Sequence, residues 1–187
     1  MRLDAASGRT ASDIIRRADE RGLADIIFRF GEEKRAHPIA RSIIDARERG
    51  GLETTADLAR AVLATKPGHR NKTMSRVFQA LRIAVNDELE NLRSGLEQAE
   101  SLLKPEGRMV VISYHSLEDR IVKRYFVARE NPCTCPRELP KCVCGKVPTL
   151  RRITRHVVTP SDAEVDRNPR SRSAKLRVAE KLGEGEA

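Results

Sequence analysis

Apolar residues between positions 10 and 65 recur three and four positions apart, which is the spacing of amphipathic helices. The pattern predicts four short helices. Thr10 with Asp13, and Thr54 with Asp57, have the spacing of capping boxes at the starts of the first and the fourth helix. Gly22 follows the first apolar series and marks its end. Residues 10–70 are therefore predicted to form a small helical bundle.

A single long helix is predicted from residue 77 to residue 103. Its apolar positions step by threes and fours along one face: Phe78, Leu81, Val85, Leu89, Leu92, Leu96, Ala99 and Leu103. Pro105 and Gly107 end this helix and lead into a strand that begins near Met109. A helix followed directly by a strand is typical of doubly wound α/β folds.

The segment RMVVISYHSLEDR, residues 108–120, contains an unbroken apolar run that ends in a polar cluster. Such runs build buried parallel strands. Because ligands bind outside the carboxyl ends of the strands in open α/β sheets, His115, Ser116 and Asp119 are candidate catalytic residues. The spacing alone also allows a simpler interpretation, in which Ser116 only caps the next helix and His115 is an ordinary polar residue.

Two further strands are predicted in the last part of the chain. The segment ITRHVVT, residues 153–159, alternates apolar and polar residues, and KLRVAEKL, residues 175–182, is the last apolar stretch. We expect these two strands to be antiparallel neighbours. Together with the helices, they place the chain in the α/β class.

The chain is strongly basic, since its 187 residues include 36 Lys and Arg against 27 Asp and Glu, a net charge of +9. A basic balance of this size is typical of proteins that bind nucleic acid. The sequence has no Trp, two Tyr and four Phe, so few rings can stack on unpaired bases. We therefore expect any RNA contact to depend on Arg and Lys against phosphate, and to weaken with salt.

Two basic zones are candidates for this contact. Residues 66–82 include Arg76 and Arg82 and contain no acidic residue. Near the C-terminus, Asn168, Arg170 and Arg172 begin a series in which basic and small residues alternate. A solvated surface explains most such runs, and phosphate tracking is the functional interpretation.

The cysteines allow three interpretations. Cys133, Cys135, Cys142 and Cys144 are spaced as C-x-C, six residues, C-x-C, and four thiolates can surround one structural zinc ion. The chain shows neither the apolar core of a signal peptide nor a run long enough to span a bilayer, so we expect a cytoplasmic protein without a membrane partner. In that compartment reduced thiols are the main alternative to zinc, and a disulfide is the third.

Several segments, in order, resemble the C-terminal part of the MraW family, which uses S-adenosylmethionine to methylate a cytidine N4 in 16S rRNA. The resemblance rests on MRLD (residues 1–4), TASD (10–13), FGEEKRAHPIAR (30–41), FQALRIAVNDEL (78–89), YHSLEDRIVK (114–123) and NPRSRSAKLR (168–177). The order of these segments makes the match specific. The sequence departs from the family at residues 72–75, KTMS, where the family often has His-Pro-Ala-Thr.

The resemblance implies a split methyltransferase fold. Residues 1–9 would be a linker remnant, 10–70 an inserted helical domain, 71–129 the C-terminal helix-strand-helix part of a Rossmann-like domain, 130–148 a cysteine loop, and 149–187 terminal strands and a basic tail. In the family, the main motifs for S-adenosylmethionine precede the region that matches, so we assign no cofactor-binding residue here. We therefore expect the chain to be incomplete as an enzyme by itself.

The resemblance also implies roles for individual residues. His115, Ser116 and Asp119 would hold the target amine or support the residue that does. The partner would be 16S rRNA or the small ribosomal subunit. The residues themselves leave two other functions open, a non-catalytic RNA-binding module and a zinc-stabilised scaffold. The RNA-binding residues implied are Arg76, Arg82, Arg120, Asn168, Arg170 and Arg172.

Overall fold

The computed structural model describes Met1 and residues 8–136, 139 and 143–183. Cys142 and most of the predicted linker remnant, residues 2–7, lie outside the described residues. The chain divides into two compact units, Met1–Glu88 and Leu89–Ala187. Within the described part of the chain, every helix is too short or too polar to serve as a bilayer-spanning segment.

The unit Met1–Glu88 is helical. The four helices predicted between residues 10 and 65 are all present, and the capping boxes at Thr10 and Thr54 are both formed. The prediction that Gly22 ends the first helix is wrong, because that helix ends at Arg17 and Gly22 lies in the first turn of the second. Apolar side chains from these helices and a fifth meet in one core around Leu23, Ile39 and Leu81. The five helices are α1 (Ala11–Arg17), α2 (Glu20–Gly31), α3 (Ala36–Glu48), α4 (Thr55–Ala64) and α5 (Arg70–Asn86).

Helices α2 and α5 approach each other closely at Gly31. A Cβ atom added to Gly31 would lie 2.6 Å from the carbonyl oxygen of Arg76, so only glycine fits without a shift of the backbone. One position away, the Gln79 side-chain amide donates to the carbonyl oxygen of Phe30 at 3.0 Å. This contact fixes the end of α2 against the middle of α5.

The prediction of one long helix over residues 77–103 is wrong. Helix α5 ends at Asn86, and α6 (Glu88–Leu102) begins after Asp87, whose φ of +47° is left-handed. Aspartate tolerates this conformation better than most residues. The side-chain amide of Asn86 donates to the carbonyl oxygen of Arg82 at 2.8 Å. Since a single residue leaves the helical conformation, the apolar spacing continues across the break and hides it.

The unit Leu89–Ala187 contains a small mixed structure of helices and sheet. Its strands are β1 (Arg108–Ser113), β2 (Leu150–Arg152) and β3 (Lys175–Lys181). They pair in the order β1-β3-β2, and both pairings are antiparallel. The buried side of the sheet packs with Leu96, Val122 and Phe126. The elements are α6, β1 (Arg108–Ser113), α7 (Ser116–Glu130), β2 (Leu150–Arg152), α8 (Asp162–Arg167), a 3-10 helix (Pro169–Ser173) and β3 (Lys175–Lys181).

The expectation that β1 is a buried parallel strand is wrong for the described residues. The described partner of β1 is β3, which runs antiparallel to it. Met109 and Ser113 are buried, whereas Val110 and Ile112 are 57% and 54% exposed. The strand is therefore apolar on both sides but covered on only one, and its second side is open among the described residues.

The strand predicted at residues 153–159 is shifted. Strand β2 ends at Arg152, and beyond it Val158 makes only an isolated bridge with Leu176. The amides of Ile153 and Thr154 both donate to the carbonyl oxygen of Val178, so the regular ladder stops there. The antiparallel relation to the last strand is confirmed by the pairing of β2 with β3.

Glu100 on α6 is a buried polar centre of this unit, with 7% of its surface exposed. Its carboxylate accepts hydrogen bonds from Thr149 Oγ1 at 2.6 Å, from Arg129 Nε at 2.9 Å and from the Tyr125 hydroxyl. Burial favours a higher pKa for Glu100, but these donors outweigh it and lower the pKa. Burial and the same carboxylate raise the pKa of Tyr125 to about 12. One carboxylate thus joins α6, α7 and the segment before β2.

Candidate active site

The junction between β1 and α7 is fixed by a capping box built on histidine. His115 is the N-cap, and its Nδ1 accepts the Glu118 amide at 3.3 Å. The Glu118 carboxylate in turn accepts the amides of Tyr114 at 2.9 Å and His115 at 3.3 Å. The prediction that Ser116 caps the helix is wrong, because the imidazole nitrogen takes the place of a cap hydroxyl and Ser116 becomes the first helical residue.

The other ring nitrogen of His115 faces inward. Because Nδ1 accepts a hydrogen bond, the neutral ring carries its proton on Nε2. Nε2 is the one buried side-chain polar atom without a hydrogen-bond partner among the described residues. It lies 3.3 Å from a Glu118 oxygen, without the geometry of a hydrogen bond. Burial favours a higher pKa for Glu118, and His115 with the two amides outweighs it and lowers the pKa.

Asp119 is paired with an arginine from the last strand. Arg177 Nε and Nη2 donate to the two Asp119 oxygens at 2.7 and 3.1 Å. The hydrogen bond from Arg177 is the main reason that the pKa of Asp119 lies below its ordinary value, and Lys175 at 4.0 Å adds to the effect. Arg177 is buried, so this basic residue serves the protein interior rather than an external phosphate. Two of the motifs that carry the family resemblance therefore meet here.

The exposed arginines of the C-terminal motif lie at the same end of the sheet. Ser113 at the end of β1 pairs with Lys175 at the start of β3, and the 3-10 helix Pro169–Ser173 comes immediately before that strand. The carbonyl oxygen of Asn168 accepts both the amide and the hydroxyl of Ser171. Ser171 is thereby buried, and Arg170 and Arg172 on either side of it are exposed.

The structure brings together most, but not all, of the candidate residues. His115, Ser116, Asp119 and Arg120 share the first turn of α7, and Arg120 is exposed. Arg76 and Arg82 lie on α5 in the unit Met1–Glu88, and each contacts an acid.

The acidic partners of these two arginines differ in burial. Glu33 is 5% exposed and accepts the Arg35 amide at 3.1 Å, Thr73 Oγ1 at 3.2 Å and Arg76 at 3.4 Å. Burial favours a higher pKa for Glu33, but these donors lower it. Arg82 meets Glu88 through two hydrogen bonds at 2.8 and 3.1 Å. Arg76 is thus tied into the helical core, whereas the Arg82 pair lies nearer the surface.

Sequence reasoning identified the strand-end residues but missed their internal partners. The pairing of Asp119 with Arg177 joins residues 58 positions apart, and no local pattern reports it. The one available signal was the position of Arg177 within an alternating apolar strand, where it occurs on the inward side.

The described residues do not provide a complete site for an adenosyl cofactor. Two connections lead from a strand to a helix, residues 114–115 and residues 153–161, and neither contains glycine. A dinucleotide-like or adenosyl ligand normally lies against a glycine-rich connection of this kind, where the backbone can approach it closely. The candidate active site is therefore the polar end of β1 alone.

The sequence matches the model of the MraW methylase family over residues 1–182. It is 50% identical over 190 residues to ribosomal RNA small subunit methyltransferase H of Dehalococcoides mccartyi, covering 99% of this chain and 54% of that protein. The proteins of the same name from Carboxydothermus hydrogenoformans and Thermomicrobium roseum are 46% and 49% identical over 97% of this chain, and over 60% and 56% of their own lengths. The chain thus spans little more than half the length of these relatives.

Proposed function

Because the chain belongs to the MraW methylase family, we propose that it forms the C-terminal part of an enzyme that methylates a cytidine N4 in the 16S rRNA of the small ribosomal subunit, in the cytoplasm. The methyl donor is S-adenosylmethionine, held mainly by a segment outside this chain. One observation carries the proposal. The polar end of β1, fixed by the His115 cap and the Asp119–Arg177 pair, lies at the same end of the sheet as the exposed Arg170 and Arg172.

The chemistry requires positioning above all. The N4 amine of cytosine is a weak nucleophile because its lone pair is delocalised into the ring. An enzyme must align the amine with the methyl donor and accept hydrogen bonds from the amine protons. A base stacked in a duplex cannot reach such a site, so the target is unpaired or flipped outward.

The three candidate residues have different roles in this proposal. His115 Nε2 is buried, and both Asp119 oxygens are held by Arg177, so these two are positioning residues that keep the junction rigid. Ser116 is partly exposed at the first position of α7, and a hydroxyl oxygen has two acceptor lone pairs, so it can accept a hydrogen bond from the amine in addition to any other contact that it makes. Ser116 is therefore the residue of the three that would contact the amine.

The basic residues would bind the RNA backbone. Arg170 and Arg172 are exposed on a 3-10 helix whose backbone is held by its own hydrogen bonds. Their backbone is therefore already ordered when the side chains meet phosphate. Arg120 is exposed on α7, one position after Asp119. Contacts of this kind orient RNA without reading its sequence.

The open side of β1 supports the view that another segment completes the enzyme. Val110 and Ile112 are more than half exposed, and the outer edge of β1 has no paired strand among the described residues. Strands with two apolar sides are typical of sheets covered on both faces. The relatives carry the additional length from which such a segment can come.

A chimeric enzyme tests the proposal directly. The part of the Dehalococcoides mccartyi relative that precedes the matched region is fused in front of this chain, and the product is incubated with unmethylated small subunits and S-adenosylmethionine. Nucleoside mass spectrometry is expected to detect N4-methylcytidine. Ser116→Ala is expected to reduce transfer about tenfold or more, as one lost hydrogen bond in the transition state would, and Ser94→Ala, an exposed serine on α6, serves as the matched control.

Two measurements on the chain alone complete the test. Calorimetry with S-adenosylmethionine is expected to show no binding, and measurable binding would contradict the incomplete cofactor site. Binding to 16S rRNA fragments is expected to weaken when Arg170 and Arg172 are changed to Ala, with a slope against salt lower by about one per lost phosphate contact. Arg93→Ala, another exposed arginine of the same unit, should leave the slope unchanged. A folded chimera that binds RNA but never methylates would favour a non-catalytic RNA-binding module.

A further inference from the structure

The described residues of the connection between α7 and β2 form no core of their own. Between Glu130 and Leu150, the described residues form neither helix nor strand, and none of them is buried. Val143 and Val147 are 77% and 61% exposed, so even the apolar residues of this segment point to solvent. A connection of this length without secondary structure normally depends on another stabilising device.

Both ends of the connection are firmly attached. The Thr149 amide donates to the Arg129 carbonyl oxygen at 3.0 Å, and the Arg152 amide and Nε donate to the Glu130 carboxylate at 3.0 and 2.6 Å. The chain therefore leaves α7 and returns to β2 at neighbouring points. These hydrogen bonds hold the two ends of the connection together. The distal part of the connection, between those ends, contains no buried residue among those described.

The cysteines converge in that distal part. The sulphur atoms of Cys133, Cys135 and Cys144 all lie within 4.8 Å of one another. Thiolates around a tetrahedral zinc ion lie about 3.8 Å apart, given Zn–S distances of about 2.3 Å, so three corners of such a site are already assembled. Residues 133–135 and residue 144 thus converge in a segment whose described valines are exposed.

The backbone around the cysteines suits thiolate ligands. The Val143 amide donates to Cys135 Sγ at 3.4 Å, which is the kind of supporting hydrogen bond that stabilises a metal-bound sulphur. Gly145, directly after Cys144, has a φ of +64°, a left-handed turn that glycine adopts without strain. This turn brings Cys144 back toward the sulphurs of the other half of the connection.

We propose that Cys133, Cys135 and Cys144 bind a structural zinc ion that stabilises the connection between α7 and β2. A zinc ion held by cysteine thiolates is typical of structural sites, so its role is to organise the fold. The zinc site is separate from the proposed methyl transfer and does not depend on it.

Metal analysis of the full chain tests this proposal. The protein is purified without chelators and without a histidine tag, and its zinc content is measured by elemental mass spectrometry. We expect one zinc ion per chain, released when a mercurial reagent titrates the thiols. Cys135→Ser and Cys144→Ser are each expected to lose the ion, and Thr134→Ser, an exposed residue between two of the cysteines, is the matched control.

A second measurement distinguishes loss of the site from failure to fold. Removal of zinc from the unmodified chain with a strong chelator is expected to increase tryptic cleavage at Lys146 while the far-ultraviolet circular dichroism stays the same, because the connection contributes no described helix, strand or buried residue. Added zinc should restore the resistance. Four reduced thiols without metal, a disulfide detected by mass, iron in place of zinc, or zinc that persists in both Cys135→Ser and Cys144→Ser would each overturn the proposal.

Discussion

The Asp119–Arg177 pair provides the sharpest test of how the candidate active site is held. The side chains are 15% and 10% exposed, and two hydrogen bonds of 2.7 and 3.1 Å join them. Asp119→Asn keeps the shape but leaves the arginine charge largely buried without a carboxylate. Removing one partner of such a pair costs about 3 kcal/mol. We expect the free energy of unfolding of the unit Leu89–Ala187 to fall by that amount.

Urea unfolding followed by tyrosine fluorescence measures this loss in the correct unit. The chain has no Trp and two Tyr, and both Tyr114 and Tyr125 belong to the unit Leu89–Ala187. With a slope of about 2 kcal/mol per molar urea, a loss of about 3 kcal/mol lowers the midpoint by about 1.5 M. Arg177→Met and the double variant complete a double-mutant cycle, in which the double variant should cost less than the sum of the single ones.

The dependence on pH gives the same test a second arm. The pKa of Asp119 is lowered in the folded state, chiefly by the hydrogen bond from Arg177. Its stabilising effect is therefore fully present above the ordinary aspartate pKa and is lost as the pH falls through the lowered value. The difference between the unmodified chain and Asp119→Asn should shrink over that window. A cost below about 1 kcal/mol at neutral pH, or single effects that simply add, would refute the reasoning.

Three further predictions follow from other contacts. Gly31→Ala should destabilise the unit Met1–Glu88 by about 1–3 kcal/mol in urea, because its Cβ would lie 2.6 Å from the Arg76 carbonyl oxygen. Val110→Thr combined with Ile112→Thr should lower the binding of a hydrophobic dye, because it makes the exposed side of β1 polar. Glu33→Gln should lower the melting temperature at neutral pH and much less at acidic pH, because the stabilisation by Glu33 is lost as the pH falls through its lowered pKa.

Each of these predictions has a matched control. A Cβ at Gly95 in α6 meets nothing within 4 Å, so Gly95→Ala should stabilise by about 0.5–1 kcal/mol. Val147→Thr changes an exposed valine outside the sheet and should leave dye binding nearly constant. Glu97→Gln changes an exposed acid and should have little effect at either pH. Equal effects of a variant and its control would count against the corresponding contact.

Local signals in the sequence predicted local structure well. The capping boxes at Thr10 and Thr54 and the helical spacing of apolar residues are confirmed, because each depends on residues within one or two turns. The end of β1 was also identified correctly as the place where polar residues collect. These features are encoded over short distances along the chain.

Features that depend on distant residues or on one backbone angle were not predictable. The break at Asp87 is a single left-handed residue inside an otherwise continuous apolar pattern. The cap at His115 is local, but histidine is not among the residues that usually cap helices, so the sequence pattern favoured Ser116. The partner of Asp119 lies 58 positions away.

The buried Glu100 has a consequence for comparisons among relatives. Its carboxylate accepts hydrogen bonds from Tyr125, Arg129 and Thr149 together. A change at any one of the four therefore removes a hydrogen-bond partner from at least one of the others. Selection for foldability alone would keep such a quartet invariant. An acid, a tyrosine and an arginine with these contacts are easily mistaken for a catalytic group, so a mutational survey should first separate the residues that serve folding from those that serve the proposed activity.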